Sequence, residues 1–277
     1  MSIKIKVELG AVEKTLFMPV WARAVETKKD KPVLLDNTAV EIMDSVDFDF
    51  SHMSENIAEI SQIAWIARCK RFDRVIKEFI LLHPEGTIVN IGCGLDTTWE
   101  RLNSGSILWY DLDLPDVIDV KKRFVAGAGN RRFIASSFLD TEWFEDILVT
   151  DRVLFISTGV FVYFEENVIR DFIIKVGDRF DNSEFFFDVT SPKGVEIANQ
   201  VIERSGLDSR SFFKWGLTDK SIISSWDKRI KLLDTYYTFK IDGLDLSPDN
   251  RRIAEISDSL DIQYMIHLRI SENELSP

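Results

Sequence analysis

A β-branched run, Thr87-Ile88-Val89-Asn90-Ile91, breaks at Gly92-Cys93-Gly94 and passes into a segment with helical character that begins near Thr97 or Thr98. This junction restricts the fold more than any other stretch, because glycines at a strand end let the backbone turn sharply and let a ligand approach where a Cβ would collide. A second feature is tied to it by spacing: the next apolar run ends in Trp109-Tyr110-Asp111-Leu112-Asp113, and Asp113 lies 19 residues beyond Gly94. A carboxylate at that distance can accept hydrogen bonds from ribose hydroxyls. A glycine pair alone is compatible with a plain strand-to-helix turn. Strand, glycine loop, helix and spaced acid together point to a nucleotide-like ligand. The third glycine of a dinucleotide fingerprint is absent, Thr97 standing in its place, and no GKS or GKT follows. Nicotinamide dinucleotides and P-loop nucleotides are therefore disfavoured.

Further short apolar runs follow at 107–112, 132–135, 153–157 and 184–189, separated by helical segments such as 166–180. Strands alternating with helices predict an α/β fold, a Rossmann-like, doubly wound, mostly parallel seven-stranded sheet. The runs at 229–240 and 263–270 complete it as an antiparallel C-terminal edge hairpin. Residues 1–85 read as an N-terminal helical cap, with Ile57, Ile60, Ala64, Ala67, Phe72, Ile76 and Phe79 at helical spacings. Residues 86–190 form the ligand-binding core. Residues 191–228, with Phe212, Phe213, Trp215 and Trp226, read as a helical insert or lid, and 229–277 hold the edge strands.

A chain of 277 residues with 45% hydrophobic content can bury one large core, so a single domain is expected. No run approaches the roughly 20 uncharged apolar residues of a membrane span, and the opening MSIKIKVELGAVEK has no apolar signal region. A cytoplasmic protein without a membrane partner is expected. The net charge of −12 opposes a nucleic-acid partner, and the KK and RR pairs read as solvated helix faces. Cys69 and Cys93 share no metal-type spacing with His52, His83 or His267, so no metal is expected.

GCGLDTTWERL followed by WYDLDLP resembles the leucine carboxyl methyltransferase family and its polyketide O-methyltransferase branch. TLFMPVWARAVE, ARCKRFD, SSFLD and GVFVYF match in the same order, so the resemblance runs from about Thr15 to Asp188. It implies S-adenosylmethionine (SAM) as cofactor, bound across the carboxyl ends of the strands. Carried over by position, Arg68 would pair with the methionine carboxylate, Gly92 and Gly94 would pass beneath the ligand, and Asp96 would brace the loop or touch the amino-acid part. Asp113 would hold the ribose, and Leu139 and Asp140 would contact adenine. The family often has Glu before the glycine of its fourth-strand motif, where it would bind the SAM ammonium. Here Ser157-Thr158-Gly159 stands instead, so a contact from Thr158 would carry no charge.

The reaction implied is O-methylation of a carboxylate or hydroxyl on a small-molecule acceptor. Tyr163 is the best-placed candidate to line the acceptor pocket, with a half-buried packing role as its alternative. Trp215 and Phe212 read either as an aromatic lid or as core, Arg23 as a contact to an anionic acceptor or as a surface ion pair, and Asp188 as facing the crevice or capping a turn. His267 reads as structural. Two other functions compete: an NAD(P)-dependent oxidoreductase using the same glycine loop, and a non-catalytic SAM-binding regulatory domain. Neither the acceptor nor the oligomeric state is written in the sequence. Calorimetric titration with the two cofactors discriminates: SAM binding without NAD binding is expected, and the reverse pattern would sink the methyltransferase reading.

Overall fold

The computed structural model describes residues 4–7, 11–102, 107–127, 129–204 and 211–272. Among these, strands β1 (Thr87–Ile91), β2 (Leu108–Asp113), β3 (Arg131–Ala135), β4 (Val153–Ser157), β5 (Ser183–Val189), β6 (Ile230–Tyr237) and β7 (Tyr264–Ile270) form one sheet in the order β3-β2-β1-β4-β5-β7-β6. β1 to β5 are parallel, and β7 runs antiparallel between β5 and β6. Every residue of β1, β4 and β5 is buried, as expected for strands covered on both faces.

Helices supply those covers. The cap consists of α1 (Ala11–Thr27), α2 (Asn37–Ser45), α3 (Ser51–Asn56) and α4 (Glu59–Leu82). α4 lays Phe72, Val75, Ile76 and Phe79 onto Ile88, Leu154 and Phe186 of one sheet face. After the glycine loop come α5 (Thr98–Leu102) and α6 (Pro115–Lys121), and α7 (Glu166–Arg179) covers the other face with Ile169, Phe172, Ile173 and Val176. Each such side chain contributes roughly 1.5–3 kcal/mol through burial. No helix among the described residues is long and apolar enough to cross a membrane.

The C-terminal half departs from its sequence reading in detail. The expected insert is helical only at α8 (Pro192–Arg204) and the short α9 (Ile222–Ser225), while 205–210 lie outside the described residues. The two last strands do pair antiparallel, but not as a tight hairpin: α10 (Pro248–Ser259) lies between them. Its start carries a signal, since Ser247 caps Asn250 and Pro248 occupies the first turn. Of these two strands β7 is interior and β6 forms the edge, so His267 has a neighbour on each side and its Nε2 lies 2.8 Å from Glu184 Oε2.

The cap is fastened to the core by a buried ionic cluster. Asp36, 1% exposed, precedes α2 and accepts at Oδ1 from Ala39 N at 2.9 Å. Its Oδ2 accepts from Arg23 Nε of α1 (2.8 Å), Arg101 Nη1 of α5 (3.0 Å) and the Thr97 hydroxyl (2.5 Å). Arg101 also grips Asp73 of α4 through Nε and Nη2 at 3.0 and 2.7 Å. Burial alone would raise the Asp36 pKa, but the two guanidiniums, the hydroxyl and the amide hold it below its ordinary value. Removing one member leaves a buried charge uncompensated, at about 3–5 kcal/mol. Asp36→Ala should therefore lower unfolding free energy by about that amount in urea denaturation. Arg74→Ala, which removes the exposed pair Arg74–Glu78, should change it by no more than about 0.5 kcal/mol.

Candidate functional site

The strand order reverses between β1 and β4, and the carboxyl ends of these two strands open the crevice where open α/β sheets bind ligands. Gly92 and Gly94 turn there with φ of +62° and +43°, values that side-chain-bearing residues avoid. A Cβ on Gly92 would collide with the Val160 side chain, and one on Gly94 would come 3.1 Å from Leu16 of α1. The loop thus lies packed between the start of the post-β4 segment and the cap.

Polar groups hold the loop from beneath. Gly92 N and Cys93 N both donate to Leu112 O, at 2.8 and 3.1 Å. Asp96 accepts from Asn90 Nδ2 (3.1 Å), Thr98 N (3.2 Å) and the Thr98 hydroxyl (2.9 Å), the bonds of a brace. Burial would raise its pKa, yet Arg101, Arg23 and Lys121 hold it at about 2. Lys121, 1% exposed, donates to Asp96 O at 2.9 Å and Cys93 O at 3.4 Å and pairs with Asp111 at 3.5 Å. Arg131 is buried too and bonds Asp111 and Glu100. The Lys121-Lys122 and Arg131-Arg132 pairs each therefore turn one cation inward, which corrects their reading as solvated faces. Burial keeps the Cys93 thiol well above its ordinary pKa, and therefore protonated and unreactive at neutral pH.

Asp113, at the end of β2, is half-buried. Its Oδ2 accepts from Gly94 N (2.7 Å) and its Oδ1 from Leu114 N (2.8 Å). Burial raises its pKa, opposed by those two amides and Lys121. Beyond β3, Leu139 is 40% exposed and Asp140 is exposed, in a turn where Asp140 N donates to Ser137 O at 3.1 Å. Thr158 is half-buried between Ser157, whose hydroxyl lies 3.4 Å from Ile91 O, and Gly159 at φ +68°.

On the β4–β5 side, Arg68 of α4 donates from Nη1 to Asp188 Oδ2 at 2.6 Å, and Gly159 N donates to Asp188 Oδ1 at 2.6 Å. Arg68 Nε is buried without a partner. Tyr163 ends a 3-10 turn, Phe161–Tyr163, and is half-buried. Burial raises its pKa, with Arg68 lowering it and Asp188 raising it across the shared space. Phe213 meets it edge-on at 5.4 Å, and both backbone groups of Phe213 are held by the Asn199 side chain, at 2.7 and 2.9 Å.

Two acceptor-pocket candidates are placed elsewhere. Trp215 is 3% exposed, stacks near Phe187 at 6.4 Å and belongs to the main core, so the aromatic facing Tyr163 is Phe213. Arg23 is 3% exposed and engaged with Asp36 and, through Nη2, with Leu95 O at 2.9 Å. It is a buried tie between cap and loop rather than a surface ion pair or an open contact. The sequence reading missed Asp188 as the partner of Arg68, although its place at a carboxyl strand end was a usable signal. It missed Lys121 and Asp36 because their burial depends on tertiary packing.

Residues 17–176 match the family model described as leucine carboxyl methyltransferase. The chain is 25% identical over 222 residues to the tetracenomycin polyketide synthesis O-methyltransferase TcmP of Streptomyces glaucescens, covering 79% of this chain and 80% of that protein. It is 25% identical over 232 residues to the S-adenosyl-L-methionine-dependent methyltransferase dpfgK of Gibberella zeae, covering 77% and 78%. Among solved structures, a DUF574-family protein from Streptomyces avermitilis shares the fold, with TM-score 0.61 at 11% identity over 92% of this chain and 97% of that one.

The depressed pKa of Asp96 has a signed consequence. A carboxylate at about 2 in the folded protein, against about 3.9 unfolded, adds stability above pH 4 and loses it as pH falls toward 2. In urea denaturation, the stability gap between wild type and Asp96→Asn should therefore be full at pH 5 and shrink between about pH 4 and pH 2.

Proposed function

Because this chain belongs to the leucine carboxyl methyltransferase family and is a SAM-dependent methyltransferase, we propose that it methylates an oxygen, carboxylate or hydroxyl, of a small-molecule acceptor. Membership sets aside the nicotinamide-dependent alternative. The observation that carries the proposal is the glycine loop bonded through Gly94 N to Asp113 at the switch point, with Arg68 across the crevice. The fit to SAM rests on three features: two loop glycines at positive φ whose Cβ would strike Val160 or crowd Leu16, a carboxylate at ribose distance along the chain, and a guanidinium with a buried, unpartnered Nε.

In this reading Asp113 accepts from the ribose hydroxyls while Gly94 N keeps the carboxylate oriented. Leu139 and Asp140 face adenine, and the open position of their turn leaves room for it. Arg68 presents paired N–H donors to the methionine carboxylate, the geometry that guanidinium and carboxylate share. Thr158 adds a neutral contact. When bound, SAM supplies an electrophilic methyl group on a sulfonium. The protein's share is to hold the acceptor oxygen in line and exclude water, an arrangement worth up to roughly 7–11 kcal/mol. Tyr163 has a raised pKa and stays protonated at neutral pH, so it can donate a hydrogen bond to an acceptor but is not a base. A carboxylate acceptor, already ionised, suits such a site without further help. The small-molecule acceptor is favoured over a protein carboxyl terminus by the relative TcmP, an O-methyltransferase of tetracenomycin polyketide synthesis.

Incubation with labelled SAM and a panel of aryl carboxylates and phenols tests the proposal: label should enter an ester or ether of a small acceptor, and transfer to protein alone would overturn it. Asp113→Ala should weaken S-adenosylhomocysteine binding roughly 10- to 100-fold by calorimetry, the scale of hydrogen bonds to a charged group.

A further inference from the structure

The fourth-strand turn carries Thr158 where the family resemblance would put an acid facing the ammonium of the cofactor, yet the next strand brings an acid to the same turn. Asp188 closes β5, is 2% exposed, and reaches the backbone of the Thr158-Gly159 turn, accepting from Gly159 N at 2.6 Å. Its other oxygen accepts from Arg68 Nη1 at 2.6 Å and from Gln263 Nε2 at 3.3 Å. The next residue of the turn, Val160, packs directly on Gly92. The carboxylate therefore sits beside the glycine loop and not in a remote part of the core.

We propose that Asp188 is the ammonium receptor of this enzyme, and that Arg68 and Asp188 together form a two-charge cradle for the zwitterionic amino-acid end of SAM. The inference rests on the methyltransferase reading. Three physical points carry it. A buried Arg–Asp pair is neutral as a unit, and so is an α-amino acid, so the two dipoles can align head to tail without adding net charge to a dehydrated site. A carboxylate offers about four acceptor positions, and Asp188 has three donors, leaving room for one N–H. Arg68 uses one of five guanidinium donors on Asp188, keeping others, its unpartnered Nε among them, for a ligand carboxylate. Gly159 completes the geometry. It lies against the Arg68 guanidinium, and its φ of +68° disfavours any residue with a Cβ. An acid moved from the β4 turn to the end of β5 supplies the missing charge while leaving the turn itself to glycine and threonine.

The test is calorimetric and needs no turnover. Four nucleosides serve as probes: S-adenosylhomocysteine, its deaminated analogue 5′-S-(3-carboxypropyl)-5′-thioadenosine, its decarboxylated analogue 5′-S-(3-aminopropyl)-5′-thioadenosine, and 5′-methylthioadenosine, which lacks both charges. Wild type should bind S-adenosylhomocysteine roughly 10- to 100-fold more tightly than the deaminated analogue. Asp188→Asn should weaken S-adenosylhomocysteine and the decarboxylated analogue by a similar factor and leave the deaminated analogue and 5′-methylthioadenosine within about twofold. Arg68→Met should show the mirror pattern, losing the carboxylate-bearing probes. Equal wild-type affinity for S-adenosylhomocysteine and the deaminated analogue overturns the proposal even if the Asp188 variant does not fold. So does an Asp188→Asn variant that loses all four probes together, or that loses the deaminated analogue as much as the parent, because Asp188 would then act only on the fold or on Arg68. Wild type that binds none of the four refutes the cofactor reading itself, a result distinct from either.

Discussion

A carboxylate out of reach of water, Asp36, stands at the point where the cap, the glycine loop and α5 meet. Four donors converge on it from α1, α2, α5 and the loop threonine. Because each donor belongs to a different element, none of these elements can shift without leaving charge unpaired in a medium that does not solvate it. Arg101 extends the same constraint to α4 through Asp73, and α4 is the helix that brings Arg68 to the crevice. The placement of the Arg68 guanidinium beside Asp188 is thus inherited from an ion cluster centred on Asp36.

Below the loop a second buried cluster, Lys121, Asp111, Arg131 and Glu100, performs a related task. Here the carbonyls of Cys93 and Asp96 are the beneficiaries, since Lys121 donates to both. A loop built on glycines has little intrinsic stiffness and loses much entropy on ordering. Anchoring its carbonyls to a buried ammonium and its amides to Leu112 O and Asp113 substitutes tertiary bonds for that missing stiffness.

Much of this was legible from residues alone where the signal is local. β1 and β4 fall at the positions their apolar runs predict, and α5 starts at Thr98 as the glycine turn requires. The place of Asp113 at the end of β2 was legible from its spacing, whereas its bond to Gly94 N was not. What was not legible is whatever depends on the partner across space. Lys121 looks like half of a solvated lysine pair until Asp111 and two carbonyls surround it. Trp215 carries no mark that separates a lid from core, and only its stack near Phe187 decides between them. α10 is polar on most positions, with Ala254 and Asp258 buried, so its residues read as a connection between two strand-like runs.

β7 lies between β5 and β6, and its pairing with β5 joins Ser183 to Ile270 and Val189 to Tyr264. The sheet is therefore finished by insertion, since β6 has no neighbour until a segment later in the chain slides in beside it. Contacts of such long sequence separation form late, because loop closure must precede any gain. Gln263, just ahead of that strand, donates to Asp188. The acid beside Arg68 thus gains its last protein partner only when the final strand is seated. A partly folded chain can present the glycine loop, but not a finished crevice.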